Sequence, residues 1–212
     1  DFNVPLNHNF NITDDSRIVA AIPTINKIRS AGGKTIIISH MGRPKNGFEE
    51  RFSLKHVVNH LSKLIGLTVF FNTDCVGDSV INTVNKMKNG DVLLLENLRF
   101  YREEEECDEG FAKELSKIGE IYINDAFGTA HRKHASTTAI TNYFKGRKFF
   151  GLLLSRELKN LHTALEKTNT PFTAIIGGAK ISGKINVLKS LINKVDNLII
   201  GGGMAYTFIK AL

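Results

Sequence analysis

Arginine and histidine recur directly behind short apolar, β-branched runs, where they could form a cradle for a compact, multiply charged anion. Thr35-Ile36-Ile37-Ile38 is followed by Ser39-His40-Met41-Gly42-Arg43-Pro44, and Val92 to Leu95 by Glu96-Asn97-Leu98-Arg99. Ile121-Tyr122-Ile123 is followed by Asn124-Asp125-Ala126-Phe127-Gly128-Thr129-Ala130-His131-Arg132. The opening, Asp1-Phe2-Asn3-Val4-Pro5, reads as the tail of another strand, and Arg17 starts the next helix near the same edge. Guanidinium forks bind phosphate and carboxylate bidentately, and Asp1 and Asn3 would add acceptors for a substrate hydroxyl. A surface salt bridge explains any one of these arginines equally well. Their common position at one edge of a sheet is harder to ascribe to solubility.

A second constellation is Gly177-Gly178-Ala179-Lys180-Ile181-Ser182-Gly183-Lys184, between a strand expected at Phe172 to Ile176 and an amphipathic helix expected from Ile185 to Val195. Lys180 and Lys184 would stand at a strand-to-helix turn, where free N–H groups and the positive helix end favour a polyphosphate. Glycines that merely let the chain turn, with solvated lysines, account for the same spacing.

The elements that must position these groups follow from hydrophobic periods. Ile18, Ile22, Ile25 and Ile28 mark a helical face after Thr13-Asp14-Asp15, with Pro23 as a kink or a late first-turn proline. Leu54, Val57, Val58, Leu61, Leu64 and Ile65 form the next stripe, followed by a strand from Leu67 to Phe71. Val80, Ile81, Val84 and Met87 precede Val92 to Leu95, and Phe111, Leu115 and Ile118 precede Ile121 to Ile123. Strands apolar on both faces that alternate with helices predict an α/β fold with a mostly parallel sheet covered on both sides. In such a sheet ligands collect at the carboxyl ends of the strands. The pattern changes near Gly151. Residues 1–152 read as one domain, 153–171 as a connecting helix (Leu158, Leu161, Leu165) and polar linker, and 172–212 as the beginning of a second α/β domain too short to close its own core.

Composition narrows the function classes. Of 212 residues, 42% are apolar and 23% charged, an ordinary globular balance, and the formal net charge is +7. No run of five or six basic residues and no exposed aromatic platform is evident, so small anions are expected rather than nucleic acid. Cys75 and Cys107 form no C-x-x-C pair, which predicts a reduced, cytoplasmic setting. No apolar stretch is long enough to span a bilayer and no signal-peptide pattern opens the chain, although a targeting segment could precede the abrupt start at Asp1. His56 and His60 share a helical face but lack a third ligand, so no metal site is expected from them. Glu103 to Glu106 reads as a solvated, acidic helix start. His134 reads as structural or exposed, and neither cysteine as an activated thiol.

Six ordered motifs together closely resemble phosphoglycerate kinase. They are Asp1 to Leu6, Arg17-Ile18-Val19-Ala20-Ala21-Ile22-Pro23-Thr24, Ser39 to Pro44, Leu95-Glu96-Asn97-Leu98-Arg99-Phe100, Asp125 to Arg132, and Gly177-Gly178-Ala179-Lys180. The resemblance covers the whole chain. It implies two Rossmann-like α/β domains, the first doubly wound and binding 3-phosphoglycerate or 1,3-bisphosphoglycerate, the second binding ADP or ATP with Mg2+. It implies reversible phosphoryl transfer between 1,3-bisphosphoglycerate and ADP in glycolysis, by a cytoplasmic monomer with no nucleic-acid or membrane partner. It assigns Asp1 and Asn3 to the glycerate hydroxyl and carboxylate region and Arg17, His40, Arg43, Arg99 and Arg132 to a basic patch. Phe2, Met41 and Gly42 complete that substrate set. Arg17 and Lys180 are implied at the phosphoryl group in flight, Lys184 at the nucleotide phosphates, and Gly178, Gly201 and Gly202 where the backbone approaches the nucleotide.

The resemblance also places half of a first strand before Asp1, and the Asp-bearing glycine loop for the Mg2+–nucleotide beyond Leu212. A partial chain of this kind is expected to be inactive by itself, or to act as a non-catalytic phosphoglycerate-binding module. Gly183 stands where the family usually has a polar residue, lowering helix propensity. Ser155-Arg156 replaces a typical Glu-Lys, and Arg156 keeps the positive charge without lysine's geometry.

Overall fold

The computed structural model describes residues 1–166, 170–179 and 181–211. Helices and strands alternate as the apolar periods predict: α1 (Ser16–Ser30), β1 (Thr35–Ile37), α2 (Lys55–Ile65), β2 (Val69–Asn72), α3 (Asp78–Lys86) and β3 (Val92–Leu95). There follow α4 (Arg102–Glu105), α5 (Glu109–Ser116), β4 (Tyr122–Asn124), β5 (Lys148–Phe150) and α6 (Leu152–Glu166). The last elements are β6 (Thr173–Gly177), α7 (Ile185–Leu191), β7 (Asn197–Gly201) and α8 (Met204–Ala211). The chain divides into two compact units, Asp1–Glu157 and Leu158–Leu212.

The first unit is organised around β3, whose four residues are all buried. Successive side chains of a strand point to opposite faces. Val92 and Leu94 accordingly pack with Ile18 and Ile25 of α1 and Val57 and Leu61 of α2, while Leu93 and Leu95 pack with Val80 of α3 and Phe111 and Leu115 of α5. Helices therefore cover both faces, which is why the strand carries no polar residue. Pro23 lies in the interior of α1. The hydrogen bond it removes is tolerated where Ile18, Ala21 and Ile25 bury the helix face on either side.

All strand pairs in the first unit are parallel, in the order β1-β3-β2, with Ile37 opposite Leu94 and Asn72 opposite Leu95. The carboxyl ends of β1 and β3 thus finish side by side, and the chain leaves both toward one edge. β4 pairs with β5 in a separate parallel sheet, so the expected continuous sheet is present as two. Between them a cavity of about 800 Å³ is lined by Ile36 and Ile38 on the β1 side and Tyr122 and Ile123 on the β4 side. Residues 1–5 carry no strand assignment; Leu6 bridges Ile12 instead, and Phe2 and Val4 are anchored in the α1/α2 core.

In the second unit β6 and β7 are parallel, Thr173 opposite Asn197 and Gly177 opposite Gly201. β6 is not the buried strand its apolar run predicts: its residues alternate between exposed and half-buried, and Ile175 is 74% exposed. Two strands offer too little surface to cover both faces. α7 stops at Leu191, short of Val195.

Candidate anion site at the strand ends

The loop after β1 owes its course to Asn97, the second residue after β3. This fully buried amide donates to Met41 O at 2.7 Å and Phe52 O at 2.9 Å, and its Oδ1 accepts from Met41 N at 3.1 Å and Arg99 N at 3.0 Å. Its neighbour Glu96, also buried, accepts from Leu54 N at 2.8 Å and Ser53 Oγ at 2.6 Å, fastening the start of α2 to the end of β3. Gly42 turns with φ +61°, and a Cβ there would run into the Phe52 ring. Only glycine meets both requirements without strain.

Onto this frame the opening residues are tied from the other side. Gly42 N donates to Asn3 Oδ1 at 2.8 Å and Phe2 N to Ser39 Oγ at 2.7 Å. Asp1 lies between two basic groups, its Oδ2 3.2 Å from the Arg17 guanidinium and its Oδ1 3.3 Å from His40 Nδ1. Burial, reinforced by Arg99, the amino group of Asp1 and Arg17, pulls His40 down to about 3. At neutral pH the imidazole is therefore uncharged, and its approach to Asp1 is a dipolar contact rather than an ion pair.

Arg99 is buried and its guanidinium donates to Gly42 O at 2.9 Å. Its Nε stands 3.3 Å from Glu105 Oε1, within ion-pair distance though without hydrogen-bond geometry. Burial lowers its affinity for a proton; Glu105 opposes that shift, and Arg132 and Arg43 add to it. Those two arginines therefore act on Arg99 electrostatically, and Arg43 is exposed while Arg132 is half-buried. The structure brings Asp1, Asn3, Arg17, His40, Gly42 and Arg99 into one bonded cluster, with Arg43 and Arg132 beside it. The concentration of like charge in a partly dry setting is unfavourable unless an anion shares it. Phe2 and Met41 enter differently: their side chains belong to the core, and Met41's N–H and C=O are both taken by Asn97.

In the second unit Gly178, Gly201 and Gly202 close the carboxyl ends of β6 and β7. A Cβ at Gly202, where φ is +69°, would lie 2.9 Å from Gly178 N and O, and Met204 N donates to Gly178 O at 2.8 Å. Lys184 precedes α7, and its Cε and Nζ would lie 3.2 and 3.3 Å from a Cβ at Gly178, so the ammonium lies over the glycine. Lys180 lies outside the described residues.

Other sequence candidates find partners of their own. His56 Nε2 is 2.8 Å from Glu50 O and its ring stacks on Phe10, while His60 Nε2 is 2.8 Å from Asp15 Oδ2. Among the described residues no group of three His, Cys, Asp or Glu is placed to hold a metal ion, and no helix is long and apolar enough to cross a membrane. Glu104 is not solvated: it is 3% exposed and bonded to Ser136. His134 is buried beside it. Sequence reasoning missed the positioning parts played by Asn97, Glu96 and Glu104. For the first two a signal existed, since polar residues directly behind an all-apolar strand must find partners; for Glu104 nothing in the acidic run distinguished the one residue that turns inward.

The family model for phosphoglycerate kinase matches residues 1–212, the whole chain. The chain belongs to the phosphoglycerate kinase family. It is 54% identical over 211 residues to the phosphoglycerate kinase of Chlorobium chlorochromatii, covering 100% of this chain and 53% of that relative. With the phosphoglycerate kinase of Porphyromonas gingivalis it shares 49% over 235 residues, 56% of that protein. The solved structure of phosphoglycerate kinase from Coxiella burnetii superposes with a TM-score of 0.84 at 41% identity, covering 100% of this chain and 52% of the other. For the enzyme from Pyrococcus horikoshii the TM-score is 0.85 at 31% identity, over 100% and 53%. The chain thus spans about half the length of the phosphoglycerate kinases it matches.

Proposed function

We propose that the first unit binds 3-phosphoglycerate or 1,3-bisphosphoglycerate at the carboxyl ends of β1, β3 and β4, and that the chain serves reversible phosphoryl transfer between 1,3-bisphosphoglycerate and ADP, giving 3-phosphoglycerate and ATP. The observation that carries this reading is Arg99, buried and braced by Gly42 O and Glu105, with Arg43 and Arg132 acting on it as further positive charges. Membership of a family whose relatives are named phosphoglycerate kinase selects the substrate from among small anions.

The residue roles follow from chemistry. Arg99, Arg43 and Arg132 take the phosphate oxygens as guanidinium forks, while neutral His40 offers a directional hydrogen bond without adding charge. Asp1 and Asn3 orient the glycerate hydroxyl. Arg17, held by Asp1 but 53% exposed along its side chain, is free to swing toward the phosphoryl group in transfer. An acyl phosphate is already activated, so the protein's work is in-line positioning and charge neutralisation, with no covalent intermediate.

Lys184 and the N–H groups around Gly178, Gly201 and Gly202 suit nucleotide phosphates, and we keep for Lys180 the role at the transferring phosphoryl group that its motif implies. Among the described residues the second unit's cradle offers Mg2+ no carboxylate and so does not fit it: Lys184 supplies an ammonium, Gly178 O is taken by Met204 N, and Asp196 is engaged at the opposite end of β6, accepting from Phe172 N at 2.6 Å. Free Cys75 and Cys107 suit a reduced, cytoplasmic setting, and we read the protein as a monomer. Calorimetric titration of the 212-residue protein with 3-phosphoglycerate tests the reading: saturable binding that Arg99→Ala abolishes is expected, and no heat above dilution would refute it.

A further inference from the structure

Within the acidic run Glu103 to Glu106 only Glu104 is withdrawn from solvent. Glu104 Oε1 accepts from Ser136 Oγ at 2.6 Å, its Oε2 from Ser136 N at 3.0 Å, and its own carbonyl from Ala135 N at 2.9 Å. His134 Nδ1 stands 3.6 Å from the same carboxylate. A single residue of α4 therefore bonds two consecutive residues, Ala135 and Ser136, of the segment that carries Arg132 and stands close to a third, His134. That grip is extended inward: Ser136 O accepts from the Tyr122 hydroxyl at 2.7 Å, and Arg132 O accepts from Thr137 Oγ1 at 2.9 Å. The next residue, Glu105, faces Arg99 Nε at 3.3 Å.

For stability alone this is an inefficient arrangement. A buried carboxyl pays desolvation, which raises its proton affinity here against the opposing pull of the Ser136 bonds, and an apolar residue of similar volume often serves a core at least as well. What the carboxylate supplies that an apolar residue cannot is direction. Two oxygens fix both the amide and the hydroxyl of Ser136, so the backbone four residues from Arg132 has one permitted position.

We propose that Glu104 is a positioning residue of the anion site, holding segment 132–136 so that Arg132 stands beside Arg99, which Glu105 braces from the same helical turn. The proposal rests on the reading of Arg132 and Arg99 as phosphoglycerate ligands. Glu104→Gln keeps one acceptor oxygen for Ser136 N and turns toward Ser136 Oγ an NH2 from which that hydroxyl can accept, whereas Glu104→Ala leaves both Ser136 groups unpaired.

The test is a double-mutant cycle on the full chain, with 3-phosphoglycerate affinity read by calorimetry and amide exchange at Ala135 and Ser136 read by NMR. Glu104→Ala should weaken binding about tenfold and speed exchange at Ser136, while Ala135, whose acceptor is the backbone carbonyl of residue 104, serves as the internal reference; Glu104→Gln should stay within about threefold, and Glu104→Ala added to Arg132→Ala should cost less than about twofold more. Equal losses with and without Arg132 would show a merely structural role and overturn the proposal, as would unchanged exchange at Ser136. If Glu104→Ala does not fold, Ser136→Ala takes its place in the cycle, with about threefold loss expected when Arg132 is present and none when it is absent; equal loss again overturns it. An Arg132→Ala protein that binds normally would refute the reading of Arg132 as a ligand and the proposal with it, whereas an Arg132 effect without a Glu104 effect removes the proposal alone.

Discussion

Replacing Asn97 with alanine withdraws the partner of four backbone groups at once: Met41 N, Met41 O, Phe52 O and Arg99 N. Each buried polar group left unpaired costs about 1–3 kcal/mol. Phe52 is half-buried and its carbonyl can recruit water, but Met41 and Arg99 are buried, so three groups stay dry. Their simple sum would be about 3–9 kcal/mol, and because neighbouring losses overlap the expected destabilisation is about 3–5 kcal/mol, a large share of the stability of an ordinary domain. Urea unfolding followed by far-ultraviolet circular dichroism at pH 7 measures it, with the slope against denaturant expected to be unchanged. The Gly42 carbonyl that receives Arg99 lies in the loop that Asn97 holds, so 3-phosphoglycerate affinity should fall at least tenfold in the same protein. A stability loss below about 1 kcal/mol would show that the loop finds other partners for these groups, and the account of Asn97 as the organiser of this edge would be refuted.

Further outcomes are expected. Arg99→Lys should lower 3-phosphoglycerate affinity by at least about tenfold in calorimetry, because an ammonium cannot bond Gly42 O and present a planar fork together; an unchanged Kd would contradict the role given to Arg99. Gly42→Ala should destabilise the protein by about 2 kcal/mol or more through its positive φ and the Phe52 ring, visible as a lower urea midpoint, and an unaltered midpoint would show that the loop relaxes cheaply. His40 has a folded value of about 3 against 6.5 when unperturbed, so between these the unfolded chain binds the extra proton. Its contribution is fully present above about pH 6.5 and is lost as pH falls toward 3; His40→Gln should flatten that limb of the stability profile, and an identical slope would count against a buried, neutral imidazole.

Much of the fold could be read from the chain because its signals are local. The run Val92 to Leu95 is apolar at every position, and in the structure each residue is buried because helices cover both faces of β3. The stripe Leu54 to Ile65 became α2, ended by Gly66 in the left-handed conformation. The division of the sheet in the first unit was not legible, since strand partners are chosen by contacts remote in sequence and a short apolar run carries no record of its neighbour. The exposure of β6 has the same cause: an apolar strand is buried only if the rest of the fold supplies both covers.

At the site, residue types and their order along the chain sufficed to name Arg17, His40, Arg43, Arg99 and Arg132 as one basic cluster, since parallel strands deliver their carboxyl ends to a common edge wherever β–α alternation holds. The sequence by itself also determined the family, through six motifs in fixed order. Tertiary structure alone decided which members of the cluster are buried, that His40 is uncharged, that the side chains of Phe2 and Met41 belong to the core, and that one glutamate of an acidic run turns inward to grip Ser136. Charge state and burial depend on what surrounds a group in three dimensions, and identical residue types in the same run, Glu103 to Glu106, meet different surroundings.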